Sequence, residues 1–111
     1  MSMSRVIDER VYIGDNAVAQ DIGLLIKMNI THVLNVTSET PISSEHQTYF
    51  TCKQIKIKNA ANVNIRSKLF TAVSFICKAL EIDTESLVLV HCDSGDVRSA
   101  AIVVAFLMKK K

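Results

Sequence analysis

Short runs of apolar residues alternate along this chain with longer segments of helical periodicity. A fully apolar run of four residues at 87–90 is typical of a central strand covered on both faces. Three other short β-prone runs also predict strands, and they lie at 10–13, 32–36 and 49–57. The segment 37–47 is rich in polar residues and holds the sole proline, Pro41, so it is predicted to be a loop.

Three segments have the apolar spacing of helices. Residues 16–28, capped by Asp15 or Asn16, are predicted to turn Val18, Ile22, Leu25 and Ile26 toward a core. Residues 65–80 do the same with Leu69, Val73, Ile76 and Leu80. Residues 99–108 are apolar on nearly all sides and therefore require cover. Strands that alternate with helices predict an α/β fold with helices on the faces of the sheet.

Length and composition favour one domain, 1–111, because 111 residues with 49% hydrophobic side chains can form a single packed core. A net charge of +2 is too small to indicate a nucleic-acid partner. We find no secretory signal and no membrane span, and three cysteines without a signal favour reduced thiols. The predicted location is therefore intracellular, in the cytoplasm or the nucleus. His32 and His46 lack partner motifs, so neither a metal site nor a cofactor is expected.

The candidate site is the segment 91–99, between the apolar run and the last predicted helix. Backbone N–H groups of such a loop and the helix dipole together form an anion site, and Gly95 permits a tight turn. Arg98 can fork onto two phosphate oxygens. The same environment lowers the pKa of Cys92 below the free value of ~8.5, which makes a nucleophile for phosphoryl transfer. Ser99 can donate a hydrogen bond to the departing thiolate.

Several assignments in this segment have alternatives. The predicted phosphate-binding residues are Asp93, Ser94, Gly95, Asp96, Val97 and Arg98. His91 is predicted to orient the loop through hydrogen bonds, with a role as a base as the alternative. Cys92 can instead be a buried structural cysteine and Arg98 a surface residue. Cys52 and Cys77 are predicted to belong to the core.

The motif His-Cys-x-x-Gly-x-x-Arg-Ser resembles the signature loop of cysteine-dependent phosphatases. The similarity is to the dual-specificity branch, including its poxviral member, and it extends over segments 5–14, 30–37, 87–92 and 99–108. The resemblance implies a phosphatase-like mixed sheet with a shortened C-terminal end. It also implies a shallow cleft for phosphotyrosine, with phosphoserine and phosphothreonine as further substrates, and a phosphocysteine intermediate without metal. Some relatives protect the nucleophile with a disulfide, for which Cys52 or Cys77 would be the partner here.

The chain departs from the family pattern at the general acid. The family has an aspartic acid where this sequence aligns Asn59, and no Asp or Glu lies between Lys53 and Leu80. An amide cannot supply the proton, and losing a general acid typically costs ~10²–10⁴ in rate. Asp96 is a possible substitute acid, and the alternative is that Asp93 and Asp96 both face solvent.

A second departure is that family members usually continue with helices after the one at 99–108. The chain is therefore a fragment, or a homodimer or partner chain covers that helix. The favoured function is hydrolysis of phosphorylated proteins through Cys92. The alternative is a pseudophosphatase that binds phosphorylated proteins without turnover. A phosphoinositide or RNA 5′-phosphate substrate has little support from the mild charge.

Overall fold

A computed structural model describes residues 3–5, 10–36, 41–56, 65–92 and 98–110. Its strands are β1 (Met3–Arg5), β2 (Val11–Gly14), β3 (His32–Asn35), β4 (Thr51–Gln54) and β5 (Val88–His91). Its helices are α1 (Asn16–Gln20), α2 (Ile22–Lys27), α3 (Ser44–Tyr49), α4 (Ile65–Ile82) and α5 (Arg98–Lys110). The sheet order is β1-β2-β5-β3-β4; β1 is antiparallel to β2 and the other neighbours are parallel. The predicted α/β fold with a mixed sheet is confirmed.

Side-chain alternation along the strands produces a core on each face of the sheet. On β5, Val88 and Val90 belong to a cluster with the inner sides of α4 and α5, whereas Leu89 belongs to a cluster with α1 and α2. Successive side chains of a strand point to opposite faces, so a four-residue apolar run fills both cores. The prediction that 87–90 is a central covered strand is confirmed, with β5 at Val88–His91 and in the middle of the sheet.

The predicted single helix at 16–28 is wrong, because the chain forms two short helices that meet at Asp21. Asp21 leaves the helical region with φ −89° and ψ 82°, and its Oδ1 accepts a hydrogen bond from Leu24 N at 3.1 Å. This side-chain cap replaces the helical continuation. Val18 and Leu25 are buried as predicted, but Ile26 is 46% exposed.

The predicted loop at 37–47 contains the start of a helix that the sequence analysis missed. Ser43 caps α3, since its Oγ accepts the backbone N–H of His46 at 3.0 Å. The helix has mainly polar residues and hence no apolar stripe. It also takes Tyr49 out of the predicted strand 49–57, which is shortened to Thr51–Gln54 with Ile55 buried behind it.

The two long helices are close to their predictions. Val73 and Ile76 of α4 are buried, and Leu69 and Leu80 are partly buried against the same cluster. On α5, Phe106 is buried but Val104 and Met108 are 55% and 71% exposed, so one apolar side of this helix faces solvent. None of the helices in the described part of the chain is long and apolar enough to span a membrane.

Candidate functional site

Cys92 is the first residue after β5, and five residues separate it from Arg98, where α5 begins. The main chain therefore leaves the carboxyl end of the central parallel strand and enters the amino end of a 13-residue helix. The N-terminus of a helix presents unpaired N–H groups and a partial positive charge. The strand and the helix that were predicted to flank an anion-binding loop are both present.

The end of β5 is held by its neighbour β3. Asn35 pairs with His91 in register, and Val36 N donates a hydrogen bond to His91 O at 2.9 Å. The ladder thus continues to the residue immediately before Cys92. This fixes the main chain from which the candidate loop departs.

The side chain of Cys92 is 2% exposed and lies on the face of the sheet that α4 and α5 cover. Ile102, Val103 and Phe106 of α5 belong to the same cluster. The thiol is therefore at the carboxyl edge of the sheet among apolar side chains, close to where α5 starts. Its role as nucleophile remains a prediction.

His91 points to the other face of the sheet, since it precedes Cys92 by one residue. Its side chain is 2% exposed, and Nδ1 has no hydrogen-bond partner among the described residues. Burial, and second the nearby charge of His46, lower the pKa of His91 to about 4. Its imidazole is therefore neutral at neutral pH and cannot supply a positive charge to a thiolate.

The structure describes only some of the remaining predicted site residues. Arg98 and Ser99 are the first two residues of α5, at the end of the helix where an anion would bind. Asn59 and the loop residues Asp93, Ser94, Gly95, Asp96 and Val97 lie outside the described residues. Their proposed contacts with phosphate stay predictions.

The other two cysteines lie on different faces of the sheet. Cys52 packs beside the α1 and α2 cluster, its Sγ is 3.6 Å from the carbonyl oxygens of His46 and Phe50, and burial raises its thiol pKa. Cys77 packs beside the cluster that contains Cys92. Both are half-buried at the edge of a core. Within the described ranges, no three His, Cys, Asp or Glu side chains are grouped to hold a metal ion.

The sequence analysis gave no role to His46, yet this side chain is 6% exposed and linked to two helices. Its Nε2 lies 2.8 Å from the carbonyl oxygen of Ala19 in α1, and its Nδ1 lies 2.6 Å from Ser43 Oγ. The local signal was the spacing from Ser43, three residues before, which is that of a helix cap. The contact with α1 is not visible in the sequence.

Comparison with known proteins gives one consistent family. Residues 11–111 match the model "Dual specificity phosphatase, catalytic domain". The chain is 39% identical over 108 residues to Dual specificity protein phosphatase 19 of Mus musculus, covering 96% of the chain and 46% of the relative. It is 34% identical over 105 residues to Dual specificity protein phosphatase 1 of Arabidopsis thaliana, covering 95% and 51%. The chain thus spans about half the length of these relatives.

The solved structures agree. The human tyrosine phosphatase-like serine/threonine/tyrosine-interacting protein is similar with a TM-score of 0.80 and 27% identity, over 96% of this chain and 72% of that one. The fold, the position of Cys92 between a strand and a helix, and the match over 11–111 lead to the same assignment. The chain belongs to the dual-specificity phosphatase family of the cysteine-dependent protein tyrosine phosphatases.

Proposed function

We propose that this protein hydrolyses phosphotyrosine in phosphorylated proteins through a cysteinyl-phosphate on Cys92, with phosphoserine and phosphothreonine as slower substrates. The observation that carries the proposal is the position of Cys92, between the central parallel strand and the start of α5, in a chain that matches the family's catalytic domain. The proposed activity is intracellular and uses no metal or cofactor.

In the proposed reaction, loop N–H groups and the Arg98 guanidinium bind the phosphoryl oxygens. The Cys92 thiolate attacks phosphorus, so an S–P bond forms and the ester O–P bond breaks. The leaving oxygen takes a proton from an acid. Water then attacks the phosphoenzyme, which releases inorganic phosphate and returns the thiolate, to which Ser99 donates a hydrogen bond.

The proton for the leaving oxygen is the weak step of this scheme. Asn59 occupies the aligned position of the general acid and cannot protonate it. Asp96, in the candidate loop, is the proposed substitute. A tyrosine phenolate with a conjugate-acid pKa of ~10 leaves more readily than a serine alkoxide, so we expect phosphotyrosine to be favoured.

A second candidate function is binding of phosphorylated proteins without turnover. The amide at position 59 favours it. One similar structure, at 27% identity, carries the name tyrosine phosphatase-like serine/threonine/tyrosine-interacting protein, which describes an interaction and not a reaction. Both candidates use the same phosphate site and the same class of partner.

Steady-state hydrolysis of an aryl phosphate by wild type, Cys92→Ser and Cys77→Ser tests the proposal. Cys92→Ser is expected to lose turnover and keep phosphopeptide binding, because its hydroxyl is not ionised near neutral pH. Cys77→Ser is the matched control, since Cys77 is a half-buried cysteine of α4 that contributes to no proposed step. Undiminished activity of Cys92→Ser would remove Cys92 as nucleophile. Tight phosphopeptide binding by a wild type without turnover would establish the second candidate.

A further inference from the structure

A small cavity lies next to His91, on the face of the sheet opposite to Cys92. Among the residues that line it are Val33, Asn35, Ile42, His46, Cys52 and His91. Two pairs of these residues are neighbours in the sheet. Asn35 pairs with His91, and Val33, two residues earlier on β3, pairs with Cys52. The cavity therefore sits at the carboxyl edge of β3, β4 and β5.

The size of the cavity matches one water molecule. The cavity volume is about 10 Å³, and a single buried water needs ~10–15 Å³. A water also needs polar neighbours, and Asn35 and His91, from adjacent strands, are polar residues that line the cavity.

One polar atom of a residue that lines the cavity lacks a hydrogen bond. His91 Nδ1 is fully buried, on a side chain 2% exposed, and no described residue provides a hydrogen-bond partner for it. A buried polar atom without a partner costs about as much as a lost hydrogen bond, which is why such atoms in proteins usually have protein or water partners. His91, which carries this unpaired nitrogen, is one of the residues that line the water-sized space.

His46 forms a wall of the cavity and is itself fully bonded. The carbonyl oxygen of Ala19 can only accept, so Nε2 of His46 carries the proton and donates to it at 2.8 Å. Nδ1 then accepts from Ser43 Oγ at 2.6 Å, while that oxygen accepts the backbone N–H of His46 at 3.0 Å. Both ring nitrogens are therefore used, and the ring is fixed between α1 and α3. It shapes the cavity without bonding His91.

We propose that the cavity holds one buried water molecule that hydrogen-bonds His91 Nδ1, and that His46 is a positioning residue that keeps the cavity at this size. The water and the His46 side chain together fix the His91 ring. Because Cys92 is the next residue, they also fix the point where the candidate loop leaves the sheet. The functional consequence rests on the proposed function of Cys92, but the water site does not.

A crystal structure that resolves ordered water tests the site in the full chain. We expect a water within hydrogen-bond distance of His91 Nδ1 in the wild type and its loss in Val33→Ile, which adds a methylene beside the cavity. Val88→Ile is the matched control, a fully buried valine of the opposite face, and should retain the water. A protein atom bonded to His91 Nδ1, an empty cavity in the wild type, or a water that persists in Val33→Ile would overturn the inference.

The positioning role is tested with two substitutions of His46. Glutamine can donate to Ala19 O and accept from Ser43, whereas leucine can do neither. The readout is the pH profile of Cys92 alkylation by iodoacetamide, which needs no turnover. We expect His46→Leu to lower the alkylation rate at pH 7 about tenfold, and His46→Gln to resemble the wild type. Val33→Ile should reproduce the leucine effect in a variant with His46 intact.

Equal behaviour of the leucine and glutamine variants, whether both impaired or both normal, would refute the positioning role. The aryl phosphate assay separates this inference from the proposed function. A wild type that contains the water and shows the His46 effect on alkylation, but has no turnover, would remove the phosphatase proposal and leave the positioning role intact.

Discussion

His91 should make the stability of the fold depend on pH, because burial keeps its imidazole neutral. Its pKa falls from an ordinary 6.5 to about 4, with burial as the larger cause and His46 as the smaller. The unfolded chain therefore binds a proton below pH 6.5 that the folded chain refuses until about pH 4. Since the unfolded state binds more protons in this interval, stability is complete above pH 6.5 and decreases as the pH falls toward 4.

The size of the effect follows from the shift. About 2.5 pKa units at ~1.36 kcal/mol each give roughly 3 kcal/mol. The side chain is 2% exposed, so solvent screening reduces this little. Small domains have only ~5–15 kcal/mol of total stability, so the loss should be easy to measure.

The assay is urea denaturation of the wild type and His91→Gln at intervals between pH 4.5 and 7.5. The difference in unfolding free energy between the two proteins cancels the contributions of the carboxylates and of His32, whose pKa burial also lowers. The wild type should lose about 2.5 kcal/mol relative to the variant as the pH falls across this range, which is most of the full effect. A difference that stays flat with pH would show that His91 is not buried in its neutral form.

Three further predictions concern the site and the exposed helix. Arg98→Lys should lose most of its aryl phosphatase activity, because a point charge cannot replace the bidentate fork; a fully active lysine variant would contradict this role. If no residue replaces the missing acid, Asn59→Asp should raise kcat, least for an activated aryl phosphate and most for phosphoserine, by up to ~10²-fold. If Asp96 supplies the proton, Asp96→Asn should lower kcat and Asn59→Asp should help little; vigorous phosphoserine hydrolysis unaffected by Asp96→Asn would show that the acid lies elsewhere. The exposed Val104 and Met108 of α5 should be covered in a homodimer; sedimentation of the chain as a clean monomer at high concentration would argue against that.

The elements with strong periodicity were predictable from sequence because their signal is local. The run at 87–90 and the stripe of α4 that includes Val73 and Ile76 fill the cores as expected. Asp21 was not recognised as a break, since a single aspartate is compatible with a helix until its side chain caps the next one. The helix α3 was missed because a polar surface helix has no apolar period.

The candidate site was also predictable from the sequence only in part. The setting of Cys92 between a strand and a helix was predictable, since both neighbours are apolar segments of distinct length. The cavity beside His91 was not, because it joins residues 35, 46 and 91 through the register of β3 with β5 and through the contact of His46 with α1. Such juxtapositions depend on tertiary packing and leave no local pattern.

The central position of β5 has a consequence for how the chain folds. Val88 pairs with Val11 and with His32, so β5 joins the two halves of the sheet, and it is the last of the five strands in the described part of the chain. Without β5, the pairs β1–β2 and β3–β4 would be separate two-stranded units, which are marginally stable in water. Closing such long loops is slow relative to local pairing. Cys92 follows β5 directly, so the pairing of β5 with both halves of the sheet also brings the candidate nucleophile to its place.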